Sequence, residues 1–237
     1  MRRLDGGADP ACGGGVTVES STVRVGAVIL AAGSSSRMGS PKQILQFRGI
    51  SLLRRAALAA LGAGCSPVIV VTGAYAELAK RELDGLDVRE VFNPHWETGM
   101  ASSIRAGVEG LADADVDAAV LMLCDQPHVT AEVISDLAAA HRVTRRPLIA
   151  STYGGSFGVP ALFSRALFAE LARLEGTAGA KQVIERYASE AYFLPFRGGE
   201  VDVDTPDDFS RLIATVDQEI NAQDACGAPP RSDRGGA

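Results

Sequence analysis

The chain has 237 residues, 46% hydrophobic and 22% charged, with a net charge of −6. That is enough apolar material for one large core in a single α/β domain, and the acidic balance argues against a broad nucleic-acid footprint. No apolar run approaches the ~20 residues of a membrane helix, and the widely spaced Cys12, Cys65, Cys124 and Cys226, with no C-x-x-C pair, suggest neither a zinc site nor a disulfide scaffold, which fits a reducing cytoplasm.

Residues 1–22 contain a triple glycine and little apolar pattern and are expected to be a disordered leader; 218–237 read as a disordered tail for the same reason. The folded unit is placed at 23–217. It opens with Val25–Leu30, a β-branched apolar run that reads as a strand buried on both faces. A loop of small and hydroxyl residues comes next, Ala31 to Ser36, with Gly33 at its turn, where a backbone can approach a ligand unobstructed. Its free N–H groups form a plausible anion nest, and Arg37 and Lys42 lie just beyond, held apart by Gly39 and Pro41. A strand, a nest and two cations at fixed spacing suit a polyphosphate. The stretch is neither a P-loop, G-x-x-x-x-G-K-[ST], nor a dinucleotide fingerprint, G-x-G-x-x-G.

Ser51–Leu61 predicts a helix with Ser51 as N-cap. Val68–Val71, ending at Thr72-Gly73, and Asp87–Phe92 predict strands, with a short helix over Tyr75–Leu83 between them. This alternation predicts a Rossmann-like, mostly parallel sheet with helices on both faces. After Asn93 and Pro94 a helix begins near Met100. Its first turn offers the Ser102 and Ser103 hydroxyls and uncapped N–H groups to an anion or a base edge. Trp96 is read as a packing residue and His95 as a solvated one. Ala118–Leu123 is the most hydrophobic strand and ends at Cys124-Asp125. Ligands in open parallel sheets bind beyond the carboxyl ends of strands, where Asp125 sits with the Gly33 loop and Thr72-Gly73. A carboxylate among phosphate-binding cations makes sense as a Mg²⁺ ligand. Thr130 is expected to cap the helix over Thr130–His141, which frees Asp125 from that task.

Beyond the strand Leu148–Tyr153, the run from Gly154 to Pro160 reads as a flexible loop and Leu162–Leu174 as a helix, by its apolar period. Gly176–Lys181 breaks that helix, another runs to about Tyr187, and Ala191–Pro195 is an edge strand. Thr205 and Asp208 form a capping-box pattern with Pro206 at the first helical position. Asp202 and Asp204 then remain, projecting to one side of an extended segment, and either could complete a metal site with Asp125.

Five strings, L-A-A-G-S-S-S-R-M-G-S-P-K-Q, N-P-H-W-E-T-G-M-A-S-S-I-R-A-G, L-C-D-Q-P, G-V-P-A-L-F and V-D-V-D-T-P-D-D, occur in this order. With them the chain resembles the molybdenum cofactor cytidylyltransferases, within the wider MobA-like nucleotidyltransferases. The resemblance covers nearly all of 25–215. It implies a nucleotide-diphospho-sugar transferase type of fold, CTP and Mg²⁺ as substrate and cofactor, and molybdopterin as acceptor, with a client molybdoenzyme as a further partner. Arg37, Lys42 and Asp125 would be catalytic. The nucleotide would lie along Leu30, Ala31, Ala32, Gly33, Ser34, Arg37 and Lys42, with Thr72, Gly73, Asn93, Ser102 and Ser103 reading base and ribose. The metal would sit on Asp125 with Asp204 or Asp202. Val159, Pro160 and Lys181 would face the acceptor. The chain departs from the family there: Val159 stands where a histidine is usual, Thr177 where an aspartate is, and Lys181 where an arginine is. Other readings remain open: a GTP- or CTP-using relative with a different phosphorylated acceptor, a non-catalytic molybdenum cofactor accessory protein, and a nicotinamide oxidoreductase, which fits the strand order but lacks G-x-G-x-x-G.

Overall fold

A computed structural model describes residues 23–215. Both terminal segments expected to be disordered, and the 217 boundary, fall outside the described residues. One sheet of seven strands organises the fold, in the order β5-β4-β1-β6-β8-β7-β9. The strands are β1 (Val25–Leu30), β4 (Val68–Thr72), β5 (Arg89–Phe92), β6 (Ala118–Leu123), β7 (Leu148–Tyr153), β8 (Ser156–Ser164) and β9 (Ala191–Pro195). A separate hairpin pairs β2 (Gln46–Phe47) with β3 (Ile50–Ser51). β1 lies centrally, parallel to β4 and to β6, and Leu30 is in register with both Val71 and Leu123. The carboxyl ends of all three strands therefore share one edge. In this sheet only β8 runs antiparallel to its neighbours.

Alternation along β1 assigns its side chains to two cores. Ala27 and Ile29 face α1 (Leu52–Gly62) and α4 (Ala131–Thr144). Val28 and Leu30 face α3 (Met100–Glu109), α5 (Phe168–Ala172) and α6 (Ala180–Arg186). Burial on both faces explains the unbroken apolar run of β1. α1 starts where predicted: the Ser51 hydroxyl accepts a hydrogen bond from the Arg54 N–H, a cap worth ~1 kcal/mol. α2 (Ala76–Glu82) is the short helix after β4. The last helix, over 206–215, opens with the capping box, the Asp208 carboxylate accepting from the Thr205 N–H and the Thr205 hydroxyl from the Asp208 N–H. Its Leu212 joins Val203, Met38, Phe47 and Leu52 in a small third core. Among the described residues no helix is long and apolar enough to cross a membrane.

Three expectations are corrected. The stretch Gly154–Pro160 is not a loop: only Gly154 and Gly155 turn, both at positive φ, as a two-residue hairpin of this twist requires, and the rest is β8. Within it Ser151 pairs with Gly158 but Ala150 with Ala161, so Val159 and Pro160 form a bulge. A bulge is one of the few places a sheet accepts proline. Its freed carbonyls are satisfied by side chains, Pro160 by the Ser151 hydroxyl at 2.6 Å and Val159 by Tyr153 at 2.9 Å and Gln126 at 3.1 Å. The helix over Leu162–Leu174 shrinks to a 3-10 turn at Arg165–Leu167 and α5. Leu162 and Phe163 belong to a strand buried on both faces, which carries no period of its own. Lastly, Thr130 occupies the N-cap of α4, but its side chain makes no capping hydrogen bond.

Candidate nucleotide site

The loop after β1 is wired from both sides. The Ala31 carbonyl accepts from Gln43 Nε2 at 2.8 Å, the Gly33 carbonyl from the same nitrogen at 3.0 Å, and the Ala32 carbonyl from the Ala74 N–H at 3.0 Å. The N–H groups of Ala32, Gly33 and Ser34 have no partner among the described residues. Filled acceptors beside empty donors leave the loop poised to bind an anion. Ser35, at φ 53, holds the turn that leads to Lys42: its carbonyl accepts from the Met38 and Gly39 N–H groups and its hydroxyl from the Lys42 N–H at 3.1 Å. Gly73 supports the loop from β4. A Cβ there would lie 2.6 Å from the Ala32 carbonyl oxygen and 2.8 Å from the Trp96 side chain, so only glycine permits this approach.

Lys42 Nζ bridges Asp125 Oδ2 at 2.9 Å and Asp204 Oδ1 at 2.5 Å, and Arg37 reaches Asp204 Oδ2 at 2.9 Å. The Lys42 and Asp125 side chains are 14% and 18% exposed, whereas Arg37 is 69% exposed, so solvent screens the arginine pair far more. Burial alone would lower the Lys42 pKa, but Asp125 and then Asp204 outweigh it, and the ammonium is held above its usual value. Asp204 is brought in by a segment pinned where the Val203 N–H donates to the Asp125 carbonyl at 3.0 Å.

A cavity of about 420 Å³ opens on these groups, in the range of small-molecule sites. It collects Leu30, Ala31, Ala32, Gly33, Ser34, Arg37, Lys42, Ser103, Asp125 and Asp204. Other expected residues lie elsewhere. The Thr72 hydroxyl is buried and donates to Glu90, and Gly73 sits beneath the loop. Asn93 and Ser102 line a separate groove on the outer side of α3. There Asn93 Nδ2 donates to Ser102 at 2.8 Å and to Ser103 at 3.0 Å, so it ties down the start of α3. Trp96 both packs on the core and lines the 420 Å³ cavity. Sequence reasoning missed Gln43, whose signal was its place directly after Lys42, and Ser35, which looked like one of three equivalent serines.

A second cavity, about 360 Å³, shares the wall residues Leu30, Met100 and Leu123 with the first. Val159 and Lys181 line it, with Thr177, Phe157 and Tyr153; Pro160 does not. Lys181 Nζ donates to Ser156 at 3.1 Å and lies 5.5 Å from the centre of the Phe157 ring, a cation–π distance.

The three aspartates do not form one ligand set: among the described residues no group of three or more His, Cys, Asp or Glu could hold a metal. The reason is local. Residues 201–204 pair with no strand, so no pleat forces Asp202 and Asp204 to one side. Asp202 is exposed as a residue and does not line the first cavity. Its carboxyl is nevertheless pushed up to about 6 by desolvation and by repulsion from Asp125, with Gln126 partly offsetting. Asp125 and Asp204 remain. Asp125 Oδ1 is buried with no hydrogen-bond partner among the described residues, a state that calls for a ligand. Mg²⁺ is commonly held by one or two carboxylates plus substrate phosphates, so this pair fits a metal shared with a nucleotide.

Three comparisons place the chain among known proteins. It is 35% identical over 119 residues to nicotine blue oxidoreductase of Paenarthrobacter nicotinovorans, a match covering 50% of this chain and 57% of that protein. It is 26% identical over 185 residues to the molybdenum cofactor cytidylyltransferase of Escherichia coli K12, covering 77% and 92%. The crystal structure of Rv0371c from Mycobacterium tuberculosis H37Rv superposes with a TM-score of 0.70 at 31% identity, over 81% of this chain and 98% of that one. The same mycobacterial protein has also been solved in complex with manganese. Residues 27–191 match the model of the MobA-like NTP transferase domain, and the chain accordingly belongs to that family of nucleotidyltransferases.

Proposed function

We propose that the protein transfers CMP from CTP to the phosphate of molybdopterin or the molybdenum cofactor, releasing pyrophosphate. The observation that carries the transferase part is the loop with its donors free and its acceptors filled, set beside Lys42 and Asp125. The choice of CTP and molybdopterin rests on the sequence strings and on the cytidylyltransferase relative. An acceptor phosphate oxygen forms the new bond to the α-phosphorus as the bond to the bridging α–β oxygen breaks, and pyrophosphate takes the electron pair. The N–H groups of Ala32, Gly33 and Ser34 seat the phosphates. Lys42 and Arg37 neutralise charge that grows on the α-phosphate and the leaving group. Asp125 and Asp204 would hold Mg²⁺, which when bound supplies Lewis-acid neutralisation of phosphate oxygens. The protein's part is positioning and electrostatics. The acceptor would occupy the second cavity, its anionic end near Lys181 and its body along Phe157.

The test measures pyrophosphate release from each of the four NTPs with Mg²⁺ and molybdopterin. The expected result is release with CTP above the other three. Release with another nucleotide only, or from CTP without molybdopterin dependence, overturns the specific assignment. A second reading is an oxidoreductase, the activity in the name of the P. nicotinovorans relative, with a nicotinamide cofactor as the form tested. A change in NADPH fluorescence on mixing would support it, and none is expected.

A further inference from the structure

We propose that Gln43 is a positioning residue that orients the phosphate-seating loop. The inference rests on the reading of that loop as a phosphate seat. Gln43 is 2% exposed, deeper than either charged group next to it. It comes directly after Lys42 in a 3-10 turn, Lys42–Ile44, so one short element delivers the ammonium to Asp125 and Asp204 and the amide to the loop carbonyls. The amide nitrogen donates to two carbonyls of the loop, Ala31 and Gly33. In a planar trans peptide the C=O and the following N–H point in opposite directions. Drawing the Ala31 carbonyl toward Gln43 therefore turns the Ala32 N–H away from it, and drawing in the Gly33 carbonyl does the same for the Ser34 N–H. Those are two of the three unpartnered N–H groups.

The orientation of this amide is forced, since a flipped side chain would set its oxygen against two carbonyl oxygens. The Gln43 oxygen, in turn, is buried without a partner among the described residues. Such a group in a native fold requires a reason, and the double donation on the other side of the amide supplies it. The Ala32 carbonyl is held by the Ala74 N–H, but the Ala31 and Gly33 carbonyls are held, among the described residues, by Gln43; without it the Ala31–Ala32 and Gly33–Ser34 planes lose that restraint and their donors lose a common direction before any anion arrives. No other side chain among the described residues donates to these two carbonyls.

Two substitutions test this. Gln43→Met keeps the volume and removes both donors. Gln43→Glu keeps the shape and makes donation depend on a proton. The probes are inorganic tripolyphosphate, which reads the seat alone, and cytidine, which carries no phosphate. Binding is monitored by the fluorescence of Trp96, the chain's single tryptophan, which lines the cavity. We expect Gln43→Met to weaken tripolyphosphate by about tenfold or more, since pre-set donors are lost, with cytidine unchanged. For Gln43→Glu we expect a similar deficit relative to the parent at pH 8.5 that narrows at pH 6, as the introduced carboxyl regains a proton to donate. Should Gln43→Met fail to fold, the pH dependence of Gln43→Glu decides. Parent-like tripolyphosphate binding in Gln43→Met, equal losses for tripolyphosphate and cytidine, or a deficit in Gln43→Glu that ignores pH each overturns the role. Failure of the parent itself to bind tripolyphosphate, with cytidine still bound, overturns the phosphate seat and takes the positioning role with it.

Discussion

Lys42 stands between two carboxylates drawn from distant parts of the chain, 83 and 162 residues away. It therefore has two jobs, one toward phosphate and one within the fold. Among the described residues, removing it leaves Asp125 and Asp204 facing each other with only the exposed Arg37, paired to Asp204, to offset them. Lys42→Ala should lower turnover by ~10²–10³, or about 3–4 kcal/mol in the barrier. It should also destabilise the fold by ~1–3 kcal/mol, less than a fully buried pair would show because Asp204 is partly solvated. Steady-state pyrophosphate release and thermal melting check the two effects; an unchanged melting temperature would mean the bridge adds nothing to the fold. That Arg37, Lys42 and Asp125 meet in one place was legible in the sequence, because strand ends and cation spacing constrain where they can go. The position of Thr72, Asn93 and Ser102 outside that cavity was not, because a hydroxyl or amide near a strand end serves backbone and neighbours as readily as a ligand. Gln43 was overlooked for the converse reason: a polar residue in a turn reads as solvated, and only the folded chain shows it buried against two carbonyls.

Among the elements, the two turns leaving β1 and β4 press against each other, and Gly73 is where they meet. Gly73→Ala should push the Ala32 carbonyl or the Trp96 ring aside, an overpacking that costs ~1–3 kcal/mol. Because both flank the cavity, CTP affinity should fall as well. A melt and a CTP titration on one preparation check this, and a drop in stability with intact affinity would show that the loop does not transmit the strain. The strands β1, β6, β7 and β9 were legible to the residue, since buried β-branched runs and an edge position leave few alternatives. β8 was not. Its Gly-Gly turn and Val159-Pro160 bulge look like loop chemistry, and its buried end continues into apolar residues spaced like a helix. Tyr153, Ser151 and Gln126 stabilise the bulge through contacts no local pattern announces.

At the scale of the whole molecule, the mostly parallel α/β class was implied by the alternation of strands and helices, but the sheet order, with β8 antiparallel between β6 and β7, was not. That one of Asp202 and Asp204 would meet Asp125 was expected; which of them does so was not, because it depends on a strandless segment held by the Val203 N–H on the Asp125 carbonyl and by a small core around Phe47. Global stability carries its own titration signature. Cys65 is buried, and desolvation pushes its thiol from 9.0 up to about 11. The folded state thus keeps this proton longer than the unfolded chain. Its contribution to stability is complete below about pH 9 and is lost as pH rises through 11, with a span of about 2–3 kcal/mol for two pKa steps. Urea unfolding at pH 9 and pH 11 should show a smaller loss in Cys65→Ala than in the parent; equal losses would place the alkaline sensitivity elsewhere. The partition between the two cavities bears on the proposed transfer. Leu30, Met100 and Leu123 are at once the inner wall of the first cavity and the inner wall of the second. On the proposed reading, with the nucleotide in the first cavity and the acceptor in the second, a shift of these three side chains by one occupant would be felt by the other, and the linkage would be reciprocal: any help the nucleotide gave to acceptor binding, the acceptor would return in equal measure.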